Sequence, residues 1–433
     1  MRPFPARRTT GGWCAAVALA VFGVGCESPE PGFDPGPPER EIVHPVESAL
    51  LSSDPGAPVV DVRLEGGEGA ERPDGLGLNA FDENRAVGIP DGPDAETLGS
   101  IRDAAVLRDG RVVLVDGDYG LVRVHTAEGE PLELVGAFGD GPGEFVDPVA
   151  VIALESGGFE VVSRVSGHGR LERFEPAGES FEFRGRQLLP TMGEDGGRIC
   201  RLGARTYVTG LLTREITTDE GRTLGALDAS GWIHELDGQG EVIRSFGTPY
   251  PKLFEETAEV AEAEDTNRAR SVMGATLEVA FTLGATRLAC SERIDGGRIW
   301  AAYTQLGEVH AYTPGGELVW IAKLADLDSP QILQRDFAFG SSVGRDPSGP
   351  MVVQQLTHVA LLSPNVLAVQ VRTLGDPTDA RTYLLDPVSG ELKGGFEASH
   401  HVIGGGDGRA ILYREAPHPQ VSIAQVHAGN GGG

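Results

Sequence analysis

The chain has 433 residues, among them Gly 62 and Pro 29, with a 40% apolar fraction and a formal net charge of −28. That apolar fraction is enough for a core and excludes general disorder. The excess of 64 acids over 36 bases excludes a nucleic-acid binder, which needs a basic face for phosphates. No apolar run reaches the roughly 18 residues of a membrane-spanning helix.

Residues 1–25 read as an export signal. Arg2, Arg7 and Arg8 form a positive start, Trp13 to Gly25 is a short apolar stretch, and Val24-Gly25-Cys26 ends it with small residues before a cysteine. This pattern resembles a bacterial lipoprotein signal, which implies that Cys26 carries the lipid. Residues 26–57 form an acidic Pro/Gly-rich tether; from residue 27 it holds seven acids and one base, too little apolar surface to fold. The body of the chain is expected over 58–428, with a Gly-rich tail at 429–433.

Of four cysteines, Cys14 leaves with the signal and Cys26 takes the lipid. Cys200 and Cys290 remain, and in an exported protein they are expected to pair as a disulfide. The alternative is two separate buried thiols. Without nearby histidines they make a poor zinc site.

The body is punctuated by one recurring unit, a strand, a short Gly-Glu turn and another strand. The turns are Gly129-Glu130, Gly178-Glu179, Gly240-Glu241, Gly316-Glu317 and Gly390-Glu391. A further strand precedes each, as in Asp109-Gly-Arg-Val-Val-Leu-Val-Asp116 and Gly296-Gly-Arg-Ile-Trp-Ala-Ala-Tyr303. Four short strands in about 40 to 50 residues is the mark of a propeller blade. The expected blades lie near 99–137, 149–185, 197–246, 286–323, 357–396 and 400–426. The sixth lacks a fourth strand, which Val59–Leu64 is expected to supply, closing the ring. The prediction is an all-β, six-bladed β-propeller closed by its N-terminal strand.

One segment breaks the rhythm. Pro251 to Met273 carries Glu255 and Glu256 at its start and Arg268 and Arg270 near its end, followed by Gly274, so a helical insertion is predicted near 251–273. Asp326 to Gln355 is expected to be a loop; its Gly340-Ser-Ser-Val-Gly344 lacks the features of a phosphate cradle.

Ile101 to Pro148 is similar to the NHL-repeat pattern of six-bladed propellers. The residues are Asp109-Gly110, Val115-Asp116, Val122, Val124, Gly129, Phe138-Gly139, Gly141, Gly143, Phe145 and Pro148, with Ser245-Phe246-Gly247 repeating a fragment. The resemblance implies a binding scaffold, as does the likeness to bacterial six-bladed propeller lipoproteins.

No catalytic constellation is complete. The Gly-x-Ser-x-Gly elbow and the His-Glu-x-x-His motif are both missing. His400, His401 and His418 are the densest histidine group, but adjacent residues on a strand face opposite ways. His125, His234 and His310 recur at like places and read as structural. Asp103, Asp116 and Asp118 fall near a channel mouth without forming a ligand set. The glutamates of the five turns read as solvated charges rather than an acidic ring. No catalytic, cofactor or metal residue is therefore assigned. The leading expectation is a monomeric envelope lipoprotein, lipid-anchored in the outer membrane since Glu27 stands where a retention aspartate would, that binds a protein, glycan or small molecule. The alternative is a propeller lyase or lactonase using a divalent cation at the channel mouth.

Overall fold

The computed structural model describes residues 57–64, 77–78, 86–89, 92–93, 96–165, 168–192, 198–217, 223–228, 231–247, 286–304, 306–325, 327, 354–373, 376–398 and 400–427. The expected signal, lipidation site and tether, the 251–273 helix and the C-terminal tail lie outside these residues. Every named element among them is a strand, and none is a helix.

The strands follow one another as antiparallel meanders. The first is β3 (Ile101–Val106), β4 (Val112–Asp116), β5 (Leu121–His125) and β6 (Pro131–Val135). Next come β7 (Pro148–Ala153), β8 (Phe159–Val165), β9 (His168–Ala177) and β10 (Ser180–Met192). The third holds β11 (Ile199–Leu202), β12 (Arg205–Thr209), β15 (Ile233–Leu236) and β16 (Val242–Phe246). Between β12 and β15 a hairpin, β13 (Leu211–Thr217) with β14 (Thr223–Asp228), leaves this meander and joins the end of β10. The fourth is β17 (Thr286–Ser291), β18 (Arg298–Tyr303), β19 (Glu308–Tyr312) and β20 (Leu318–Leu324). The fifth is β21 (Gln354–Ser363), β22 (Val366–Thr373), β23 (Asp376–Leu385) and β24 (Leu392–Ala398). The chain finishes with β25 (His401–Gly406), β26 (Arg409–Arg414) and β27 (Gln420–His427).

The arrangement is all-β and propeller-like. Faces of neighbouring meanders press together, so a middle strand is covered on both sides. That is why β4 reads Val-Val-Leu-Val-Asp and β18 reads Arg-Ile-Trp-Ala-Ala-Tyr, both buried at every position, instead of alternating apolar with polar. Trp300 and Trp320 fill the space between the fourth and fifth meanders, where Trp300 Nε1 donates to the Pro387 carbonyl at 3.1 Å.

Hydrogen bonding corrects the expectation of six separate four-stranded sheets. Among the described residues there are five sheets, of five, six, four, eight and four strands. The eight-stranded sheet forms because β25 pairs in parallel with β3, Gly404 opposite Ala104 and Gly405 opposite Ala105. Glycine makes this approach available. A Cβ on Gly404 would lie 2.0 Å from the Ala104 carbonyl oxygen, and one on Gly405 would lie 2.5 Å from Leu362 Cδ2.

The closing strand is also corrected. Val59–Leu64 does not complete the last meander. Its strand, β1 (Val59–Val62), runs parallel to β20 with Val59 opposite Ile321 and Val62 opposite Leu324. The fourth place beside β27 is taken by β2 (Gly77–Leu78), Leu78 opposite Val426. Val62 anchors the pairing: its side chain is 1% exposed in the cluster of Trp300, Trp320 and Tyr383. β1 thereby covers the otherwise open edge of β20.

The Gly-Glu turns join third to fourth strands. Gly129 has φ 93° and donates to the Thr126 carbonyl at 3.1 Å, while Thr126 N donates to the Glu130 carbonyl at 2.8 Å. A short side chain three residues before each of three glycines braces the loop: Thr126 Oγ1, Asp237 Oδ1 and Thr313 Oγ1 accept from the backbone N–H of Glu130, Glu241 and Glu317. The five glutamates of these turns are all exposed.

Cys200 on β11 and Cys290 on β17 are disulfide-bonded, with Cα atoms 5.8 Å apart. The bond staples the third meander to the fourth.

Two outcomes test this account. Gly404→Ala is expected to lower unfolding free energy by about 3 kcal/mol. Gly238→Ala, which meets nothing within 4 Å, is expected to stay within about 0.5 kcal/mol of the parent; urea unfolding compares them. Replacing both Cys200 and Cys290 with Ala opens a link across 90 residues, with an expected loss of up to about 4–5 kcal/mol in the same assay.

Candidate functional site at the channel

The first strand of each meander faces inward. β3 packs beside β7, β7 beside β11, β11 beside β17, β17 beside β21, β21 beside β25 and β25 beside β3, so these strands form a closed ring. They enclose a cavity of about 800 Å³. Its lining mixes small residues, among them Ala104, Ala150, Gly404 and Gly405, with larger apolar ones such as Val151 and Ile403.

At the end where the inner strands begin, four side chains come together from different parts of the chain: Asp103, Arg198, Arg287 and His358. Asp103 Oδ1 accepts from Ala104 N at 3.0 Å, and Oδ2 from Val151 N at 2.9 Å. Arg198 Nη1 lies 3.9 Å from Asp103 Oδ2 and donates to the Val149 carbonyl at 2.5 Å. Arg287 Nε donates to the Thr357 carbonyl at 2.7 Å. His358 Nε2 donates to the Arg102 carbonyl at 3.0 Å. Each group is thus held by backbone: Asp103, Arg198 and Arg287 by that of their own or the adjoining meander, and His358 by that of the first.

Burial pushes the Asp103 carboxyl up to about 6, against the pull of Arg198, its two backbone N–H bonds and Arg287. Burial drives His358 down to about 3, helped by the charges of Arg287, Arg198 and Arg372 and opposed by the bond to Arg102. The imidazole is therefore neutral and carries its proton on Nε2. Behind it lies His401, its ring 6.3 Å away, held well below the usual histidine range first by burial and then by Arg372. Among the described residues, Arg198 and Arg287 act electrostatically on both Asp103 and His358.

At the opposite mouth, Arg293 Nη1 pairs with Asp407 Oδ1 at 2.9 Å, and Arg108 Nη1 donates to the Glu155 carbonyl at 3.2 Å.

Of the aspartates singled out in the sequence, Asp103 alone lines the cavity. Asp116 Oδ2 accepts from Arg123 Nε at 2.7 Å and from Gly99 N at 3.0 Å, in a pair buried at both ends. Asp118 Oδ2 accepts from Ser100 N at 3.0 Å. Both fasten the segment that leads into β3. His400 and His401 have different neighbours: His400 lies beside Phe396, and His401 beside His358 and Tyr413. Among the described residues no three His, Cys, Asp or Glu side chains are grouped closely enough to hold a metal ion.

His125, His234 and His310 sit on third strands and are all buried. His234 bonds Ser245 Oγ and the Gly210 carbonyl, at 2.8 and 2.9 Å. His310 bonds Tyr312 Oη and Glu308 Oε2, at 3.1 and 2.8 Å. His125 is 1% exposed, and neither ring nitrogen has a partner among the described residues. Burial, then Arg123, lowers it to about 4.

Arg198, Arg287 and His358 were not legible as site residues in the sequence. Their signal is a polar residue in or just before a first strand, near its start for Arg198 and Arg287 and in its middle for His358, and reading it requires knowing which strands are innermost. A second cavity, of about 400 Å³, lies where β8 to β10 meet β11 and β12. There buried Glu160 accepts from Arg173 Nε at 2.8 Å and from both Nε and Nη2 of Arg201, at 2.6 and 2.7 Å.

No protein-family model matches the chain, and no curated protein is significantly similar to it. Solved structures do resemble it. An exported protein of unassigned activity, described as putative, from Bacteroides fragilis NCTC 9343 aligns with a TM-score of 0.50 and 10% identity, over 82% of this chain and 88% of that one. The PQQ-bound aldose sugar dehydrogenase of Streptomyces coelicolor aligns with a TM-score of 0.44 and 12% identity, over 82% and 100%. A streptogramin B lyase aligns with a TM-score of 0.39 and 11% identity, over 82% and 100%. At such identities the first of these likenesses speaks for the fold alone.

The buried histidines set an acid limit on stability. His125 takes a proton less readily when folded than its ordinary 6.5, so its contribution is complete above that value and is lost as pH falls through about 4, a difference worth about 3 kcal/mol. Asp103 has the opposite sign: its contribution is present below 3.8 and fades as pH rises through about 6. His125→Phe is expected to flatten the acid limb by about 3 kcal/mol between neutral pH and about pH 4 in urea unfolding. An unchanged slope would show that the ring is not held neutral.

Proposed function

We propose that the protein is an exported ligand-binding module, a propeller-like all-β structure whose central channel takes a small molecule. The observation that carries this reading is the closed ring of inner strands around a cavity of about 800 Å³, within the range of ligand sites, with Asp103, Arg198, Arg287 and His358 converging at one end. The Asp109–Pro148 pattern supports placing the chain near NHL-type propellers, whose usual role is binding.

Export rests on the signal pattern of residues 1–25, and the Bacteroides fragilis neighbour is itself described as exported. In this reading Cys26 carries the lipid, residues 26–57 space the propeller from an outer membrane, and the monomer meets a small-molecule, glycan or protein ligand. Metal-dependent lyase or lactonase chemistry fits the channel less well. Asp103 already accepts two backbone N–H bonds beside two guanidinium groups, surroundings that favour an anion over a divalent cation.

The test is a thermal-shift screen of the full chain carrying Cys26→Ser, using sugars, organic acids, amino acids and peptides. At least one class is expected to raise Tm by mass action, and Asp103→Asn or Arg287→Gln, at the end of the channel where the four side chains converge, to change that shift. If no class shifts Tm, the channel is not a binding site.

A further inference from the structure

We propose that the mouth opposite Asp103 is the entrance of the channel, and that the ion pair of Arg293 with Asp407 is a gate across it. The use of such a gate rests on the channel being a ligand site; its opening can be measured without any ligand. Three observations point the same way.

The first is how differently the two ends are closed. At the Asp103 end, side chains from separate meanders pack together and are tied to backbone. Asp103 and Arg198 are 19% and 11% exposed there, and His358 of the fifth meander reaches past the sixth to the Arg102 carbonyl of the first. The other end is rimmed by the turns between first and second strands, one from each meander. Arg108, Ser156, Gly203, Arg293, Ser363 and Asp407 line the cavity from these turns. The Arg293 and Asp407 side chains, paired at 2.9 Å, are 67% and 44% exposed. A solvated pair of this kind is held weakly and is screened by salt, so it opens and closes readily.

The second is where the pair runs. Arg293 stands on the turn from β17 to β18, in the fourth meander, and Asp407 on the turn from β25 to β26, in the sixth. The turn from β21 to β22, in the fifth, lies between them in the ring. Both partners line the cavity, so the pair forms a chord over that side of the opening. The Arg108 bond to the Glu155 carbonyl, by contrast, joins the first and second meanders, which are neighbours. Neighbours are already held by their packed faces. A link that skips a meander narrows the mouth instead.

The third is backbone. Among the described residues, Asp295 and Asp407 are the only non-glycine residues with positive φ, at 41° and 49°. One lies in each of the two turns that carry the pair. Left-handed backbone is costly for a residue with a Cβ and is kept where placement matters. Both turns are also braced. Gly408 N donates to the Leu362 carbonyl at 2.8 Å, Gly297 N to the Ile294 carbonyl at 2.7 Å, and Arg293 N to Ser291 Oγ at 3.2 Å. The turns are thus fixed, and the moving parts are two side chains.

The experiment uses the full chain with Cys26→Ser. Its probe is dithiothreitol, and its reporter is the Cys200–Cys290 disulfide, which lines the same cavity; Cys290 precedes Arg293 by three residues. A dithiothreitol thiolate attacks one sulfur and forms a mixed disulfide. Its second thiol then closes the oxidised dithiothreitol ring and leaves two cysteine thiols. Iodoacetamide traps these, and mass spectrometry counts them on the Cys200 and Cys290 peptides. Urea unfolding is measured for every chain.

At low salt, Arg293→Gln and Asp407→Asn are each expected to speed reduction about two- to fivefold. The double variant is expected to gain nothing further, since either change alone opens the pair. Asparagine is chosen because it tolerates the left-handed backbone. About 1 M NaCl is expected to narrow the gap between parent and variants. Arg184→Gln, which removes an exposed pair with Glu182 on the outer strand β10, is expected to match the parent.

Opposite shifts in the two single variants would overturn the gate, because they would show that the pair only sets the charge felt by the attacking thiolate. Equal rates in parent and variants would overturn it as well. So would a faster rate matched by an equal loss of unfolding free energy, which would report a loosened fold. A Tm shift in the ligand screen with unchanged reduction rates would overturn the gate alone. Faster reduction in both variants with no Tm shift for any class would support the gate and overturn the binding reading.

Discussion

The structure depends on closing a ring of strands at its axis, and the closure is made by backbone. Gly404 and Gly405 on β25 stand against Ala104 and Ala105 on β3 closely enough to pair in parallel. A side chain at Gly404 would strike the Ala104 carbonyl. The first and last meanders therefore share one sheet, and the chain's ends meet at the axis as well as at the rim, where β2 joins β27. Glycine weakens a strand through its entropy cost. Here that cost is offset by a joint that no other residue type permits. The disulfide from Cys200 to Cys290 reinforces the ring elsewhere, between β11 and β17.

Electrostatics divide by depth. Acids dominate the composition, and the exposed turn glutamates show where many of them sit. The interior instead uses arginine as a bridge. Glu160 holds Arg173 and Arg201 and so ties the second meander to the third. Asp116 holds Arg123 inside the first meander. Such buried pairs add little net stability against apolar packing, but losing one partner costs about 3–5 kcal/mol. They work as registration devices: a sheet slipped by one residue would strand a charge. The same residue type, placed one layer further in at Arg198 and Arg287, lines the channel.

The local rules were legible. The turn glycines, the alternation of Val122-Arg-Val-His, the buried runs of β4 and β18 and the pairing of the two remaining cysteines all follow from short-range chemistry. The Phe138–Phe145 segment shows the limit of such reading. Phe138 is 72% exposed and Phe145 is fully buried, although both flank the same glycine-rich stretch. Gly136 leaves room for the Phe145 ring, whose Cε2 would lie 2.3 Å from an added Cβ. Which phenylalanine turns inward depends on that contact, and sequence spacing does not encode it.

By itself the sequence determined the strand-and-turn rhythm, because a two-residue alternation and a positive-φ glycine act over a few residues. It determined the all-β class for the same reason. Tertiary structure alone decided where the N-terminal strand goes. Val59–Val62 is an equally good strand at any open edge, and it settles on β20 because Val62 finds a hydrophobic slot there. It also decided which polar residues face one another. Asp103, Arg198, Arg287 and His358 are far apart in the chain, and only the closed ring of first strands carries them to one end of one cavity.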